Sequence, residues 1–365
     1  MGERTIQVGL AGFGMSGQIF HAPFIFADPR FTLKKVYERT TDKAKQAYPD
    51  VETVRTFDEL LTENIDLVVV STPNQYHVPM AAQAIRAGKN VIVEKPVAAS
   101  SQEAEELCQM AKEQGVLFSV YQNRRFDGDF LTVKKLIENG RLGEVVDYEC
   151  HFDRFVTGQS TKQWKRDGGK GINILYDLGI HLIDQAYALF GMPDEVYADM
   201  RKQRPESSGI DNFEVSLYYP DKKVILSAGE LVAMPGPRFM VHGRKGSFVK
   251  YGQDPQERSL IGGMRPGSPD WGADEENHYG ILAVAAEDGI SQETIVTEAG
   301  NYGGYYDNFY HVLRSGGELL VKPEEAVDVL RIVEAAQKSQ NQKKRISLGV
   351  IKKECKDESL KGNSL

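Results

Sequence analysis

The first third of the chain alternates short apolar runs with amphipathic stretches. The runs are rich in Val, Ile and Leu, which is typical of parallel strands buried on both faces. They lie at residues 5–11, 31–37, 51–54, 65–70, 90–93 and 116–120. The helical stretches between them lie at 18–27, 57–63, 75–87 and 100–114. Repeated strand–helix units predict a parallel sheet with right-handed crossovers, so we expect an α/β domain over residues 1–123.

The pattern changes after residue 123, where longer strands predominate. Turn signals such as Tyr219-Pro220-Asp221-Lys222 separate runs that resemble hairpin partners. The expected strands lie at 144–155, 195–202, 213–219, 223–231, 238–241 and 247–251, and the expected helices at 130–139, 173–190, 302–314 and 323–340. These elements predict an α+β domain on a largely antiparallel open sheet over residues 124–350. A long loop is expected at 253–277 and a polar tail at 351–365.

A glycine-rich turn joins the first strand to the first helix. The segment Gly12-Phe13-Gly14-Met15-Ser16-Gly17 fits the G-x-G-x-x-G pattern of dinucleotide-binding folds. Gly12 permits the tight turn, Gly14 lets the backbone approach a pyrophosphate, and Gly17 lets the helix pack close to the strand. This strand–turn–helix context indicates a Rossmann-type domain that holds phosphates at a helix N-terminus.

The second strand ends at the position where such domains recognise the ribose. Glu38, Arg39 and Thr40 lie about 20 residues beyond Gly17. Glu38 could bind the ribose diol of NAD and repel a 2′-phosphate. Arg39 and Thr40 could instead bind the 2′-phosphate of NADP. We favour NADP and keep NAD as the alternative.

Composition and charge narrow the classes of function. The net charge of −8 comes without a basic stripe, which argues against binding to nucleic acid. No apolar run approaches the roughly 18 residues of a membrane helix, and the first strand begins too early for a signal peptide. The three cysteines are widely spaced and suggest neither a disulfide framework nor a thiolate metal site. We therefore expect a cytoplasmic protein with a small-molecule substrate and no nucleic-acid or membrane partner.

Two motifs follow the later parallel strands, at the edge where open α/β sheets bind ligands. They are Thr72-Pro73-Asn74 with His77, and Glu94-Lys95-Pro96. Lys95 would lie beside the positive charge of an oxidised nicotinamide, and such a desolvated, cationic setting favours proton exchange by a lysine. The alternative is a surface-loop lysine without a role in chemistry.

A carboxylate and an imidazole form a third candidate group in the second domain. Asp177 and His181 are spaced i and i+4 in the helix expected at 173–190, so both would lie on one face. A carboxylate one turn from an imidazole can polarise it or relay its proton. A structural Asp/His pair is one alternative. A metal site is another, but no third ligand is evident, and we expect no metal.

The junction between the domains carries further polar residues. Asn123, Arg124 and Arg125 could line a polyol site, although the arginines could equally form ion pairs between the domains. Trp164, with Arg166 beside it, could pack over a cofactor ring or simply in the core. His21 follows the glycine turn and is expected near the cofactor.

Taken in order, these motifs resemble the Gfo/Idh/MocA oxidoreductases, the family of glucose–fructose oxidoreductase and inositol 2-dehydrogenase. Narrower motifs, including Phe20-His21-Ala22-Pro23 and His181-Leu182-Ile183-Asp184-Gln185, are similar to the branch of NADP-dependent scyllo-inositol 2-dehydrogenases. The resemblance implies hydride transfer between NADP or NAD and a secondary alcohol of a cyclic polyol or sugar. It also implies a homodimer or homotetramer built through the outer face of the second sheet.

The motifs and the resemblance together give three sets of site residues. The catalytic set is Lys95, Asp177 and His181. The cofactor set is Gly12, Phe13, Gly14, Met15, Ser16, Gly17, Glu38, Arg39, Thr40, Thr72, Pro73, Asn74, His77, Glu94, Lys95, Pro96, Asn123, Trp164 and Arg166. The substrate set is Lys95, Asn123, Arg125, Tyr176, Asp177 and His181.

Two other functions are compatible with the same fold. One is a redox sensor that holds NADPH without turnover, although a sensor needs no proton relay. The other is a redox-neutral glycosidase that oxidises, eliminates and re-reduces its substrate on a bound NAD.

Overall fold

The computed structural model describes residues 4–156, 158, 173–207 and 209–349. Its N-terminal part is a six-stranded parallel sheet in the order β3-β2-β1-β4-β5-β6. The strands are β1 (Ile6–Ala11), β2 (Phe31–Tyr37), β3 (Glu52–Val54), β4 (Leu67–Val70), β5 (Asn90–Glu94) and β6 (Phe118–Tyr121). The strand order reverses between β1 and β4, and this switch point is where such sheets bind ligands. The predicted parallel α/β domain is confirmed.

Helices cover this sheet, and their ends follow local sequence signals. They are Ala22–Ala27, Lys43–Ala47, His77–Arg86 and Ser101–Gln114. Ser100 caps the last of these by accepting a hydrogen bond from the backbone N–H of Glu103, and Gly115 ends it with a φ of 64°. The helix expected at 18–27 instead begins with a π-helical turn, Gly17–His21. The helix expected at 57–63 is reduced to a 3₁₀ turn, Asp58–Leu60.

The second sheet has nine strands in the order β14-β13-β12-β11-β7-β10-β9-β8-β15. Only β7 and β10 pair in parallel; the other neighbours among the described strands are antiparallel. The strands are β7 (Val145–His151), β8 (Glu195–Arg201), β9 (Asn212–Tyr218), β10 (Lys223–Gly229), β11 (Phe239–Gly243), β12 (Gly246–Lys250), β13 (Gly280–Ala286), β14 (Gly289–Ile295) and β15 (Ile346–Ser347). The largely antiparallel sheet is therefore confirmed.

The helices of this second part are Gly128–Glu138, Ile180–Phe190, Gln256–Ile261, Gly303–Ser315 and Pro323–Gln342. Two expectations need correction. The region 253–277 is not one long loop, because it contains the helix Gln256–Ile261 and the start of a 3₁₀ turn, Glu276–His278. The helix expected at 173–190 begins with a π-helical turn, Leu175–Gly179. The tail expected at 351–365 lies outside the described residues.

The chain returns to the first sheet near its end. Tyr302, Tyr305, Tyr306 and Phe309 are buried in the same hydrophobic cluster as the residues of β1 and β2. The hydroxyl of Ser119, in β6, donates to the carbonyl of Val321 at 3.0 Å. These contacts fix the second part of the chain against the sheet whose edge carries the motifs. Among the described residues, no helix is long and apolar enough to cross a membrane.

Candidate active site

The glycine turn has the backbone geometry that its motif predicts. Gly12 has a φ of 102°, in the left-handed region that favours glycine, and a Cβ there would lie 2.9 Å from the carbonyl oxygen of Ser71. A Cβ on Gly17 would collide with the carbonyl oxygen of Gly12. A Cβ on Gly14 would meet no atom within 4 Å. Gly12 and Gly17 therefore make the turn compact, whereas Gly14 presents bare backbone to open space.

That open space is a crevice of about 640 Å³ between the edge of the first sheet and the second part of the chain. Most of the predicted site residues line it, including residues from both parts of the chain. They are Gly12, Phe13, Gly14, Met15, Ser16, Glu38, Arg39, Thr40, Thr72, Pro73, Asn74, His77, Glu94, Lys95, Asn123, Asp177 and His181. Trp164 and Arg166 lie outside the described residues.

The carboxylate of Glu38 is already used by the protein. It accepts a hydrogen bond from the hydroxyl of Thr41 at 2.5 Å and from the backbone N–H of Ala44 at 2.8 Å. It thereby caps the helix Lys43–Ala47, whose first N–H groups have no partner within the helix. Arg39, Thr40 and Lys43 line the crevice beside it. Glu38 therefore stabilises the fold, and the cationic and hydroxyl side chains of its three neighbours line this corner of the crevice.

His77 also serves the protein scaffold. Its Nδ1 lies 2.7 Å from the carbonyl oxygen of Pro96, and its Nε2 lies 2.7 Å from that of Thr72. The imidazole thus ties the loop after β4 to the loop after β5. This side chain therefore fixes the two predicted cofactor motifs relative to each other.

Lys95 reaches across the crevice to the second part of the chain. Its Nζ donates to the backbone carbonyl of Asp177 at 2.7 Å and lies 3.2 Å from the carboxylate Oδ1 of the same residue. Asp177 belongs to the π-helical turn Leu175–Gly179, and such widened turns recur at functional sites. The predicted meeting of Lys95 with the Asp177–His181 segment is therefore present in the structure.

His181 is buried at the base of the same crevice. Its Nδ1 has no hydrogen-bond partner among the described residues. Burial lowers the pKa of His181 well below its usual range; the positive charges of Lys95 and Arg124 lower it further, and the charge of Asp177 opposes them. The imidazole is therefore neutral at neutral pH, which is the form that can accept a proton.

A second buried cluster, which we did not predict, lies behind Glu94. The Glu94 carboxylate accepts from the hydroxyl of Ser16 and lies 3.1 Å from His21 Nε2, while His21 Nδ1 lies 2.7 Å from the hydroxyl of Tyr306. Burial alone would raise the pKa of Glu94, but its contacts with His21, Ser16 and Lys95 lower it. The sequence gives no signal for this cluster, because Tyr306 lies 285 residues beyond His21.

Four predicted residues do not line the crevice: Gly17, Pro96, Arg125 and Tyr176. Arg125 forms a bidentate pair with Asp184, both distances being 2.7 Å, and a second pair with Glu325 at 2.6 Å. Tyr176 is buried, with its hydroxyl 3.5 Å from the carbonyl of Ala99. The structure therefore does not bring Arg125 and Tyr176 to the wall of the crevice, and both side chains contact the protein instead. Arg124 lines the crevice instead and is paired with Glu257.

A second cavity of about 680 Å³ adjoins the crevice. The two share Arg124, Arg154 and Glu257 in their walls. Other residues of the second wall include His151, Asp153, Arg238, Tyr251 and Asp254. These three side chains therefore stand between the crevice with Lys95 and His181 and the cavity on the side of the second sheet.

Comparison with known proteins decides the family. The family model described as "Oxidoreductase family, NAD-binding Rossmann fold" matches residues 6–122, and the model described as "Oxidoreductase family, C-terminal alpha/beta domain" matches residues 134–348. The chain belongs to the Gfo/Idh/MocA oxidoreductase family. The resemblance drawn from the motifs is confirmed, and this Gfo/Idh/MocA protein is an NAD(P)-dependent oxidoreductase.

Several relatives align with this Gfo/Idh/MocA protein over almost their full length. The NADP-dependent scyllo-inositol 2-dehydrogenase IolW of Bacillus subtilis is 39% identical over 94% of this chain and 96% of its own. An uncharacterised oxidoreductase of Escherichia coli, YdgJ, is 41% identical over 90% of this chain and 95% of its own. A solved oxidoreductase structure from Bacillus subtilis superimposes with a TM-score of 0.92 at 39% identity, covering 94% of this chain and 99% of that one.

The crevice of this Gfo/Idh/MocA protein fits a nicotinamide dinucleotide. The open space at Gly14 admits a phosphate close to the backbone, and the hydroxyl and cationic groups of Arg39, Thr40 and Lys43 line the ribose corner. The crevice is also lined by His181, whose Nδ1 has no partner among the described residues, and by Lys95, which contacts Asp177. The cofactor's two ends thus face groups of suitable chemistry.

Proposed function

We propose that the protein is an NADP(H)-dependent dehydrogenase of a cyclic polyol or sugar, similar in substrate class to scyllo-inositol 2-dehydrogenase. The observation that carries this proposal is the convergence of Lys95, Asp177 and His181 in the crevice. The relative named as an NADP-dependent scyllo-inositol 2-dehydrogenase supports it, since it aligns over 94% of the chain.

The proposed roles follow from the contacts of each side chain. A bound nicotinamide supplies the hydride acceptor or donor. An ammonium carries three donors, and Lys95 directs its Nζ to the carbonyl and the carboxylate of Asp177. Its third donor can bind the reacting substrate oxygen and stabilise the negative charge that develops there. Neutral His181 accepts the hydroxyl proton in the oxidation direction and returns it in the reduction direction.

Two features favour NADP over NAD as the cofactor. The Glu38 carboxylate, which would repel a 2′-phosphate, accepts hydrogen bonds from Thr41 and Ala44. Arg39, Thr40 and Lys43 line the crevice and can bind a phosphate. We expect Arg39→Ala to raise the KM for NADP at least tenfold and to change the KM for NAD less than threefold. Equal changes for both cofactors would contradict the preference.

The direct test is an absorbance screen at the nicotinamide band. The full chain is incubated with inositol isomers and aldoses in the presence of NADP, and the screen is repeated with NAD and, in the reverse direction, with scyllo-inosose and NADPH. We expect turnover of a cyclic polyol or its ketone with NADP. Micromolar binding of NADPH with no turnover across the whole panel would contradict the proposal and favour the redox sensor.

A further inference from the structure

Three guanidinium groups surround one buried aromatic ring at the boundary of the two cavities. Arg124, Arg154 and Arg238 have their guanidinium carbons 4.8, 5.1 and 5.1 Å from the ring centroid of Phe152. Like charges gathered this closely require compensation from nearby anions. The three arginines differ in how they receive it.

Two of the three arginines have carboxylate partners. Arg124 pairs with Glu257 and with Asp127, and Arg238 pairs with Asp129 at 3.2 Å. Arg154 has no carboxylate within ion-pair distance anywhere in the part of the chain that the structure describes. Its backbone is nevertheless fixed, because its N–H donates to Gly229 at 2.9 Å and its carbonyl accepts from Val232 at 3.0 Å. The backbone that carries the guanidinium is therefore fixed by the fold, while the guanidinium itself forms no ion pair with a described carboxylate.

The carboxylates around Arg154 are turned to other cations or donors. Asp153 accepts from the backbone of Gly229 and lies 3.4 Å from His151. Glu230 pairs with Arg204, and Glu257 pairs with Arg124. Small rotamer changes that gave Arg154 one of these anions would take it away from an existing partner. The wall of the second cavity therefore contains a guanidinium that has no ion pair with any carboxylate that the structure describes.

We propose that Arg154 is a specificity-determining residue that binds an anionic substituent, a carboxylate or a phosphate, on the sugar or polyol substrate. This inference rests on the proposed function, since it assigns the second cavity to the part of the substrate remote from the reacting carbon. Arg154 lines both cavities, including the crevice that Lys95 and His181 also line, so the anionic substituent and the reacting carbon can belong to one substrate molecule. A guanidinium recognises both anions through paired N–H donors.

The test measures binding rather than turnover. The full chain, saturated with NADPH, is titrated calorimetrically with D-glucuronate, D-glucose 6-phosphate and D-glucose. These three probes share a ring and differ in the charge at carbon 6. We expect at least one of the two acids to bind at least tenfold more tightly than D-glucose. Whichever acid binds more tightly shows whether the site prefers a carboxylate or a phosphate. We expect Arg154→Gln to weaken the binding of that acid at least tenfold, which corresponds to about 1.4 kcal/mol, and to change the affinity for D-glucose less than twofold.

Two further variants separate recognition from general electrostatics. Arg154→Lys keeps the charge without the planar fork and should retain part of the preference. Arg258→Gln removes a cation at the exposed rim of the same cavity, where Arg258 pairs with Glu275, and should change the affinities less than twofold. The inference is overturned if the acids bind no more tightly than D-glucose, if none of the three probes binds, or if Arg154→Gln and Arg258→Gln act alike. If an acid binds tightly but the absorbance screen shows no turnover, the proposal that Arg154 binds an anion is supported and the proposed dehydrogenase activity is contradicted.

Discussion

Glu94 and Lys95 are neighbours at the end of β5, yet they enter clusters of opposite character. The Glu94 carboxylate is bound by the hydroxyl of Ser16, by His21 and by the backbone N–H of Lys95, and His21 in turn contacts Tyr306. Lys95 crosses the crevice to Asp177 and lies near His181, whose Nδ1 has no partner among the described residues. We call these the Glu94 cluster and the Lys95 cluster.

The two clusters differ in whether the protein itself satisfies their buried polar groups, and this difference distinguishes a structural role from a catalytic one. Buried polar groups that are satisfied by the protein stabilise the fold, and an unsatisfied one costs free energy unless a ligand supplies its partner. In the Glu94 cluster both ring nitrogens of His21 have protein partners. In the Lys95 cluster the histidine keeps an unused nitrogen beside a cavity that can hold a ligand. Substitutions in the Glu94 cluster should therefore lower mainly the free energy of unfolding, and substitutions in the Lys95 cluster should lower mainly the catalytic rate.

The largest effect is expected at Lys95. Lys95→Met removes the group that would stabilise the developing charge on the substrate oxygen, so we expect kcat/KM to fall about 1,000-fold, or about 4 kcal/mol. The dissociation constant for NADPH should change less than threefold, because the substitution leaves the glycine turn intact. Steady-state rates and a fluorescence titration with NADPH measure the two quantities.

Lys35→Met provides the matched control for that experiment. Lys35 is also a mostly buried lysine of the first sheet, but its Nζ donates to the carbonyl of Glu59 at 3.0 Å, away from the crevice. The control should lower the stability and leave kcat/KM within threefold. A loss of rate that is equally large in both variants would show that the effect is not specific to Lys95.

The next largest effect is expected at His181. His181→Gln keeps a polar side chain of similar reach but cannot accept the hydroxyl proton, so we expect kcat to fall about 100-fold. The melting temperature should change little, because the Nδ1 of His181 makes no hydrogen bond within the described structure that the substitution could break. Rates and thermal unfolding of the same preparation check both statements, and a large loss of stability would indicate that His181 belongs to the scaffold.

The corresponding change in the Glu94 cluster should act mainly on stability. His21→Phe removes one of the partners of the Glu94 carboxylate and a hydrogen-bond partner of the Tyr306 hydroxyl, both of them buried, so we expect the free energy of unfolding to fall by about 1–3 kcal/mol. We expect kcat to change less than tenfold. Urea unfolding and steady-state kinetics test this contrast. A 100-fold loss of rate in an otherwise stable variant would place His21 in the chemistry and abolish the comparison.

Local sequence signals are sufficient to place Lys95 at the edge of the first sheet. Lys95 follows an apolar run, and the carboxyl ends of parallel strands meet at one edge, so its place in the crevice follows from topology. The glycine turn is equally local, because Gly12 and Gly17 act on backbone a few residues away. The strand Phe31–Tyr37 also agrees with its predicted bounds, although Lys34 and Lys35 interrupt its apolar residues.

The residues that escaped prediction depend on distant partners. Arg124 and Arg125 are identical neighbours, and only the second faces Asp184 and Glu325, which lie 59 and 200 residues further along. The sequence allowed ion pairs for both arginines but could not show which one lines the site. The π-helical turn at Leu175–Gly179 was not predicted for a similar reason. The i, i+4 spacing of Asp177 and His181 is typical of an ordinary α-helix, and the contact of the Asp177 carbonyl with Lys95 forms only in the folded chain.

The smallest effect is a difference in the pH dependence of stability, and it tests the protonation state of His181. Burial and neighbouring cations lower the pKa of His181 in the folded state, so the unfolded state binds more protons below the usual imidazole pKa of about 6.5. Wild-type stability should therefore fall as the pH drops from 7.5 to 5.5, by up to about 1.4 kcal/mol per pH unit from this group.

His181→Gln removes that contribution and leaves the one from His77, whose pKa burial also lowers. Urea unfolding of the ligand-free proteins at the two pH values should therefore give a smaller loss for the variant than for the wild type. If His181 were instead held as a cation by Asp177, the sign would reverse, and the variant would lose more stability at low pH. That outcome would make His181 a satisfied partner like His21 and would leave the Lys95 cluster without its neutral base.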